Sequence, residues 1–216
     1  MNNIFPLLAI ETSGELCSTA LFLDEKKYSE YSIRLKHVHS EKLLLMINEL
    51  MSSLIITAKE LKCVAVSEGP GSFTGLRIGM AAAKGIAMGS GIPFIAVPTF
   101  EAYAYKVSKF LQDRAVFSVV NNVNVEELYF ARYKKNTDSI TNVDELRIIK
   151  KTDFISEDEL IFGNYSNLHD DKQLIEVPSG FDIGVWAYKF GKDLLTYNYD
   201  FIEPKYLKDF VARIKK

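Results

Sequence analysis

A glycine-rich stretch holds the residues of this sequence that are best suited to binding chemistry. Residues 66–79 read VSEGPGSFTGLRIG, an apolar run followed by glycines and then by a helical pattern that starts at Ser72. Glycine permits positive φ, and free N–H groups at a helix start can hold an anion. The alternative is a tight strand-to-helix turn that Ser72 caps. A Walker A loop is excluded, because Leu76 and Arg77 follow Gly75 where that motif needs lysine and a hydroxyl residue.

The end of the first predicted strand offers a carboxylate and two hydroxyls beside this stretch. Glu11 has two interpretations: it faces a phosphate–metal site, or it caps its own turn. The candidate anion or nucleotide loop consists of Glu11, Thr12, Ser13, Gly69, Gly71, Ser72 and Thr74. The three histidines, at 37, 39 and 169, show no zinc-ligand spacing, and Cys-x-x-Cys and Gly-x-Ser-x-Gly are absent. We therefore predict neither a metal site nor catalytic residues.

Composition excludes several classes of protein. The 216 residues include 26 basic and 28 acidic side chains, for a net charge of −2, and 48% are hydrophobic. These values are typical of a globular protein and unlike those of a disordered chain or a strongly basic nucleic-acid binder. Two cysteines do not make a disulfide scaffold. The N-terminus has no basic region, and the longest charge-free stretch, 85–100, is shorter than the ~20 residues of a membrane span. We expect a cytoplasmic protein without membrane contacts.

Hydrophobic periodicity predicts an α/β protein in two loosely repeated halves. The first half has the order β-β-β-α-β-α-β. Its predicted strands are 7–12, 18–23, 27–35, 63–67 and 93–97, and its predicted helices are 41–56 and 72–88. In the second half we predict strands at 115–120, 127–133, 146–150, 160–162 and 173–177, a short helix after Thr152 and a helix at 182–195. The repeat indicates a pseudo-duplicated fold with mixed sheets.

The two helices of the first half are unusual for helices that pack on a single sheet. Helix 41–56, with Ser40 as its predicted N-cap, has an apolar arc of about half its circumference, and Leu45 and Ile56 lie outside that arc. Helix 72–88 carries a small residue at every fourth position, namely Gly75, Gly79, Ala83 and Ala87. A flat stripe allows close approach of another helix, either within the chain or from another protein. The broad apolar arc favours a protein–protein interface.

Several stretches resemble the TsaB family, also called YeaZ, of tRNA threonylcarbamoyladenosine biosynthesis proteins. The matching pieces are LLAIETS at 7–13, CSTALF at 17–22, HSEKLL at 39–44, VAVSEGPGSFTGLRIGMAAAKGIA at 64–87 and IPFIAVPTFEA at 92–102. Weaker similarity occurs in ELYFARY at 127–133 and EPKYLKD at 203–209. The resemblance implies an actin-like ATPase superfamily fold: two ribonuclease-H-like lobes with mixed β-sheets flanked by helices. We expect lobes at 1–102 and 103–204, and a C-terminal segment, 205–216, packed on the first lobe.

The resemblance also implies a function. The chain would be a non-catalytic scaffold or activating subunit of the complex that forms threonylcarbamoyladenosine in tRNA next to the anticodon. Its partners would be the catalytic paralogue TsaD and the ATPase TsaE, with a homodimer when alone and tRNA reached only through the complex. It would have no cofactor of its own, although ATP or ADP at a subunit interface fits the family. The implied partner interface consists of Ser40, Leu44, Leu45, Ile47, Met51, Ile55, Phe73, Gly75, Leu76, Gly79, Met80, Ala83 and Ala87.

Positions that differ from the related proteins carry information too. Thr99 and Tyr103 stand where the catalytic paralogue has two metal-binding histidines, and neither side chain is a good substitute ligand. Leu45 replaces a frequent proline and adds apolar surface. Asn122, Asn124 and Glu126 replace an Asp, an Arg and a Gly. The two asparagines remove charges from the cleft between the lobes and weaken the case for a nucleotide there.

Two other functions stay open from the sequence. One is a stand-alone enzyme of the superfamily, either a glycoprotease-like metallopeptidase or a small-molecule kinase. The other is direct tRNA binding through a basic tail. That tail contains Lys205, Lys208, Arg213, Lys215 and Lys216. Five charges on a nearly neutral protein would give weak and salt-sensitive binding.

Overall fold

A five-stranded mixed sheet is the centre of the first half of the molecule. The computed structural model describes residues 3–154, 160–164 and 177–207. The strands are β1 (Leu7–Glu11), β2 (Leu16–Phe22), β3 (Tyr28–Arg34), β4 (Cys63–Gly69) and β5 (Phe94–Pro98), in the spatial order β3-β2-β1-β4-β5. β1, β2 and β3 are antiparallel, whereas β4 runs parallel to both β1 and β5. β1 and β4 are buried along their whole length, as expected of central strands covered on both faces.

Helices cover both faces of this sheet because side chains on a strand alternate between the faces. α1 (His39–Ser53) and α2 (Phe73–Ser90) pack on the face that presents Leu8 and Ile10. α4 (Gly180–Phe190) packs on the opposite face, against Leu7 and Ala9. Although α4 belongs by sequence to the expected second lobe, its packing partner is the first sheet. The division of the chain at 102 and 204 stays a prediction.

The second half contains a four-stranded sheet. Its strands are β6 (Val116–Asn122), β7 (Glu127–Lys135), β8 (Ile140–Lys150) and β9 (Leu160–Asn164), in the order β8-β7-β6-β9. β6, β7 and β8 are antiparallel, and β9 runs parallel to β6. α3 (Thr99–Ser108) lies between the two sheets, with Ala102 and Tyr105 in the core of the first and Phe100 and Tyr103 in the core of the second.

The element order predicted for the first half is confirmed, and the differences have local causes. α3 was not predicted: it begins directly after Pro98, with no capping side-chain hydrogen bond. The predicted cap Ser40 is wrong, because Val38 is the N-cap of α1 and Ser40 is an exposed residue inside the helix. The predicted helix 182–195 ends at Phe190, and a separate 3-10 turn follows at Lys192–Leu194.

The rest of the second half agrees in part. A 3-10 turn at Lys151–Asp153 stands where a short helix was expected, and β8 is longer than predicted. The strand predicted at 173–177 lies almost entirely outside the described residues. Within the described ranges no helix combines the length and the apolar character needed to cross a membrane.

Candidate functional site

The residues of the candidate anion loop are brought together, but most of them pack against one another. Because β1 and β4 are parallel neighbours, both strands end at the same edge of the sheet. There the Ser72 backbone N–H donates to the Ser13 carbonyl oxygen at 2.7 Å. A Cβ at Gly71 would collide with that same carbonyl, and one at Gly75 with the carbonyl of Thr12. The glycines therefore serve close packing of the chain around Glu11, Thr12 and Ser13, which are buried, and anion binding by this loop stays a prediction.

Ser72 acts as the N-cap of α2, as one of the two interpretations predicted. Its Oγ accepts a hydrogen bond from the Gly75 backbone N–H at 3.2 Å. At the other end of the loop, the Gly69 backbone N–H donates to the Thr99 Oγ1 at 3.0 Å, and φ of Gly69 is +109°, in the region that favours glycine. Only the outer residues Ser72 and Thr74 remain exposed.

The Glu11 carboxyl group is fully enclosed by this packing. One of its oxygens accepts a hydrogen bond from the Ser13 backbone N–H, and the other has no partner among the described residues. Burial penalises the charged form and raises the pKa of Glu11 to about 7, an effect to which nearby Asp182 adds. Glu11 therefore lies in the interior as a largely neutral acid at mildly acidic pH.

The two positions that would have to ligate a metal do other work. The Thr99 hydroxyl oxygen accepts a hydrogen bond from the Gly69 N–H, and the ring of Tyr103 is buried in the core of the second sheet. Across residues 3–154, 160–164 and 177–207, no group of three or more His, Cys, Asp or Glu side chains is placed to hold a metal ion.

The polar residues of the second half have structural contacts. Asn124 forms the β6–β7 turn: its Oδ1 accepts from the N–H groups of Glu126 at 2.8 Å and Glu127 at 2.9 Å. In the basic tail, the Lys205 Nζ lies 2.7 Å from the Glu68 Oε1, and Tyr206 packs on Phe73 with ring centroids 4.8 Å apart. The other four basic residues of the tail lie outside the described residues.

The predicted partner interface divides into exposed and buried members. Seven of its residues are buried inside this chain and have no surface to offer, which corrects the prediction for them. These are Ile47, Gly75, Leu76, Gly79, Met80, Ala83 and Ala87. The small-residue stripe faces inward because it lets α2 approach the end of β1, where a Cβ at Gly79 would strike the Thr12 side chain. The prediction stands only for Ser40, Leu44, Leu45, Met51, Ile55 and Phe73, which are exposed or half-buried.

Both helices, which contact each other, nevertheless carry exposed apolar side chains. The exposed fraction is 60% for Leu44, 57% for Leu45, 88% for Ile55 and 68% for Met88. The sequence prediction missed Met88, together with Gly85 and Gly89, at which an added Cβ would meet nothing within 4 Å. The small residues at 81, 85 and 89 form a second stripe, and this stripe is the sequence signal that could have identified the outer side of α2. We call these residues the α1–α2 face: Leu44, Leu45, Met51, Ile55, Gly85, Met88 and Gly89.

The end of α1 shows one conformational anomaly within this face. The Ile55 N–H donates to the Ser52 carbonyl at 3.1 Å and the Ile56 N–H to the Met51 carbonyl at 2.9 Å, which is a Schellman motif. The motif places Ile55 at φ +56°, a region that β-branched residues rarely adopt. At the corresponding position of α2 the chain has Gly91, with φ +66°. Ile55 is thus strained and 88% exposed at once.

Comparisons with known proteins identify the family. The family model of TsaD, described as tRNA N6-adenosine threonylcarbamoyltransferase, matches residues 34–160. The TsaB protein of Escherichia coli is 28% identical over 151 residues, which are 70% of this chain and 64% of that protein. The TsaB protein of Buchnera aphidicola from Acyrthosiphon pisum is 30% identical over 177 residues, 82% of this chain and 78% of that protein. This chain belongs to the TsaB family.

The fold of the TsaB-family chain agrees with a solved structure. A Pseudomonas aeruginosa protein described as similar to the peptidase YeaZ superposes with a TM-score of 0.75 at 20% identity, over 94% of this chain and 99% of that one. The predicted actin-like ATPase fold, with two mixed sheets flanked by helices, is confirmed. The aligned region spans about two thirds of the length of the E. coli relative, 64%.

Proposed function

We propose that this chain takes part in forming threonylcarbamoyladenosine in tRNA, as a non-catalytic subunit that binds the catalytic paralogue TsaD through the α1–α2 face. The relatives that show the family are named tRNA threonylcarbamoyladenosine biosynthesis protein, and the matching family model is that of the transferase itself. TsaE as a further component, a homodimer of the free chain and a nucleotide at the interface remain predictions.

The observation that carries this proposal is a set of features that lower the stability of the fold and that no contact among the described residues explains. Each large aliphatic side chain left in water forgoes about 1.5–3 kcal/mol of burial. An exposed glycine inside a helix costs about 1 kcal/mol relative to alanine, and Gly85 and Gly89 touch nothing that would require glycine. Ile55 adopts a left-handed conformation that strains its backbone, whereas Gly91 adopts the same conformation at the end of α2 without strain. α1 and α2 combine all three of these costs, which is the pattern of a surface that a partner covers.

The non-catalytic role is supported by the two positions that would need histidine. The Thr99 hydroxyl is used inside the fold, and Tyr103 is only 4% exposed. Since neither side chain is free to bind a metal, the chain would contribute to the reaction through contact with its partner. An interface of ordinary size, about 1,600 Å² in total, would suffice to hold the two proteins together.

Co-purification with the catalytic paralogue tests the proposal. We expect the double variant Leu45→Asp with Ile55→Asp to lose at least nine-tenths of the paralogue that wild type retains, because two carboxylates would be desolvated in the interface. Aspartate tolerates the left-handed conformation better than isoleucine, so the change at Ile55 does not strain the fold.

The control is Val125→Asp, which places one carboxylate on a side chain that is 89% exposed in the β6–β7 turn. It should retain the paralogue as wild type does, and neither variant should melt at a lower temperature than wild type. Adding the wild-type chain to the paralogue should increase modified adenosine in tRNA, and the double variant should not. Wild-type retention by the double variant would refute the assigned face, and unchanged modification without the chain would refute the function.

A further inference from the structure

A cavity of about 510 Å³ lies on the second sheet, on the side that faces away from α3. Along β7, Ala131 and Tyr133 belong to the core that α3 covers, so the alternating residues between and before them point to the other side. The charged and aromatic residues that line the cavity come from β7, from β8 and from the turn after β8, namely Phe130, Arg132, Arg147, Lys150, Asp153 and Phe154.

Irregular pairing of β7 with β8 gathers charged groups at this cavity. Phe130 lies opposite Arg147. Arg132 lies opposite Asp144, so β8 advances by three residues where β7 advances by two. Regular alternation would place residues 144 and 147 on opposite faces of the strand. The register shift instead lets the Asp144 carboxylate contact Arg132 Nη1 at 3.0 Å and Arg147 Nη1 at 3.6 Å. Bulges of this kind commonly re-aim side chains beside functional sites.

Phe130 and Asp144 position the two guanidinium groups. The centroid of the Phe130 ring, which is almost completely buried, lies 5.6 Å from the Arg132 Cζ and 5.2 Å from the Arg147 Cζ. Both arginine side chains still reach solvent, with exposed fractions of 36% and 54%, and both line the cavity. A guanidinium carries five N–H donors, and Asp144 is bound through the Nη1 of each arginine. The arginines are thus held in place and accessible to a ligand at once.

The described part of the lining carries more positive than negative charge. Three cations, from the two arginines and Lys150, line the cavity together with one acid, Asp153. With Asp144 included, three cations still exceed two acids, on a chain whose net charge is −2. Guanidinium groups bind phosphate oxygens through parallel N–H bonds, and a lysine adds a compact positive charge. The cavity is therefore suited to a phosphate group.

The size of the cavity and its aromatic wall indicate what the phosphate belongs to. A volume of about 510 Å³ lies within the range of small-molecule sites, about 300–1,000 Å³, and exceeds what a bare oxyanion fills. Phe154 lines the cavity as a half-buried ring, edge-on to Phe130 with the centroids 5.9 Å apart. An aromatic side chain beside a cationic groove is a surface on which a base can stack.

We propose that this cavity binds one nucleotide through its phosphate, as a free mononucleotide or as one unit of a single-stranded RNA. The site is distinct from the α1–α2 face, and the proposal goes beyond the proposed function. Arg132, Arg147 and Lys150 contact the phosphate, and Phe154 contacts the base.

Isothermal titration calorimetry of the isolated full chain tests the site with AMP, adenosine and a single-stranded oligoadenylate. We expect saturable binding of AMP and at least tenfold weaker binding of adenosine, which lacks the phosphate. Tighter binding of the oligoadenylate than of AMP indicates an RNA strand, because neighbouring units add contacts. Equal or weaker binding of the oligoadenylate indicates a free nucleotide. An oligoglutamate peptide, which carries carboxylates instead of phosphates, should not bind.

Variants identify the groups that bind. Arg147→Met keeps the aliphatic stem without the guanidinium and should weaken AMP binding at least tenfold. Arg147→Lys should recover only part of the affinity, because lysine lacks the planar fork. Lys150→Met should weaken binding at least threefold. Lys62→Met removes the same charge from an exposed residue before β4 and should leave binding unchanged. Because Arg147 and Lys150 are both exposed, either variant remains informative if the other impairs folding.

The proposal is overturned if AMP binding does not saturate, if adenosine or oligoglutamate binds as tightly as AMP, or if Lys150→Met and Arg147→Met bind AMP as Lys62→Met does. The measurement involves neither the paralogue nor the modification of tRNA. Its failure would therefore leave the proposed function untouched.

Discussion

Glu11 is a carboxyl group at the end of β1, the central strand of the first sheet, with 1% of its surface exposed. The Ser13 backbone N–H and the side chains of Ser13 and Ser67 lower its pKa, but no cation within the described residues stabilises its charge. In the unfolded chain the same group titrates near its ordinary pKa of 4.5. Between these two pKa values the folded protein binds more protons than the unfolded chain, so stability must change with pH there.

The direction of that change is a testable consequence. The stabilising proton is present on Glu11 below pH 4.5 and is lost as the pH rises through about 7. The free energy of unfolding should therefore fall by up to roughly 3 kcal/mol between these limits, at 1.4 kcal/mol per pKa unit. Glu11→Gln, a neutral isostere, should remove this part of the slope. Urea denaturation at pH 5 and pH 8 measures it, and equal pH dependence in wild type and variant would contradict the buried-acid assignment.

At the scale of the element, α2 contains two kinds of glycine that the sequence does not distinguish. Gly75 lies against the backbone of Thr12, whereas Gly85 has open space around its Cα. Gly75→Ala should destabilise the chain by about 1–3 kcal/mol, because backbone must move to admit the methyl group. Gly85→Ala, the same substitution ten positions along the same helix, should stabilise it by about 0.5–1 kcal/mol.

Thermal or urea unfolding of the two alanine variants measures both effects. If Gly85→Ala is as destabilising as Gly75→Ala, the outer side of α2 is packed against something in the isolated chain, and the α1–α2 face is wrongly placed. If both variants are stabilised, the close approach of α2 to β1 is wrong.

The elements themselves could be predicted where one local signal dominates. The order β-β-β-α-β-α-β followed from apolar runs and their periods, and Ser72 was recognisable as a cap because it directly precedes a helical pattern. Ser40 has the same residue type, but the backbone has already turned helical at Val38. The direction of the 75-79-83-87 stripe could not be predicted, because a flat helical face suits an internal strand end as well as a partner, and only the tertiary packing decides between them.

At the scale of the whole molecule, the proposed partner-binding role of the α1–α2 face has a consequence for self-association. The apolar core of the chain leaves several large apolar side chains of this face exposed, namely Leu44, Leu45, Ile55 and Met88. A surface of this kind either finds its partner or pairs with a copy of itself about a two-fold axis. Because both contacts would use the same side chains, they cannot coexist on one copy of the chain.

We therefore expect homodimer and heterodimer to exclude each other. Sedimentation velocity of the fluorescently labelled chain should show a dimer alone, and added catalytic paralogue should convert it to a one-to-one complex as the homodimer disappears. Leu45→Asp with Ile55→Asp should abolish both species, since one face makes both, while Val125→Asp should abolish neither. A complex that retains two contacting copies of the labelled chain with the paralogue bound would mean that the two contacts use different surfaces, and the partner would then have to be sought outside α1 and α2.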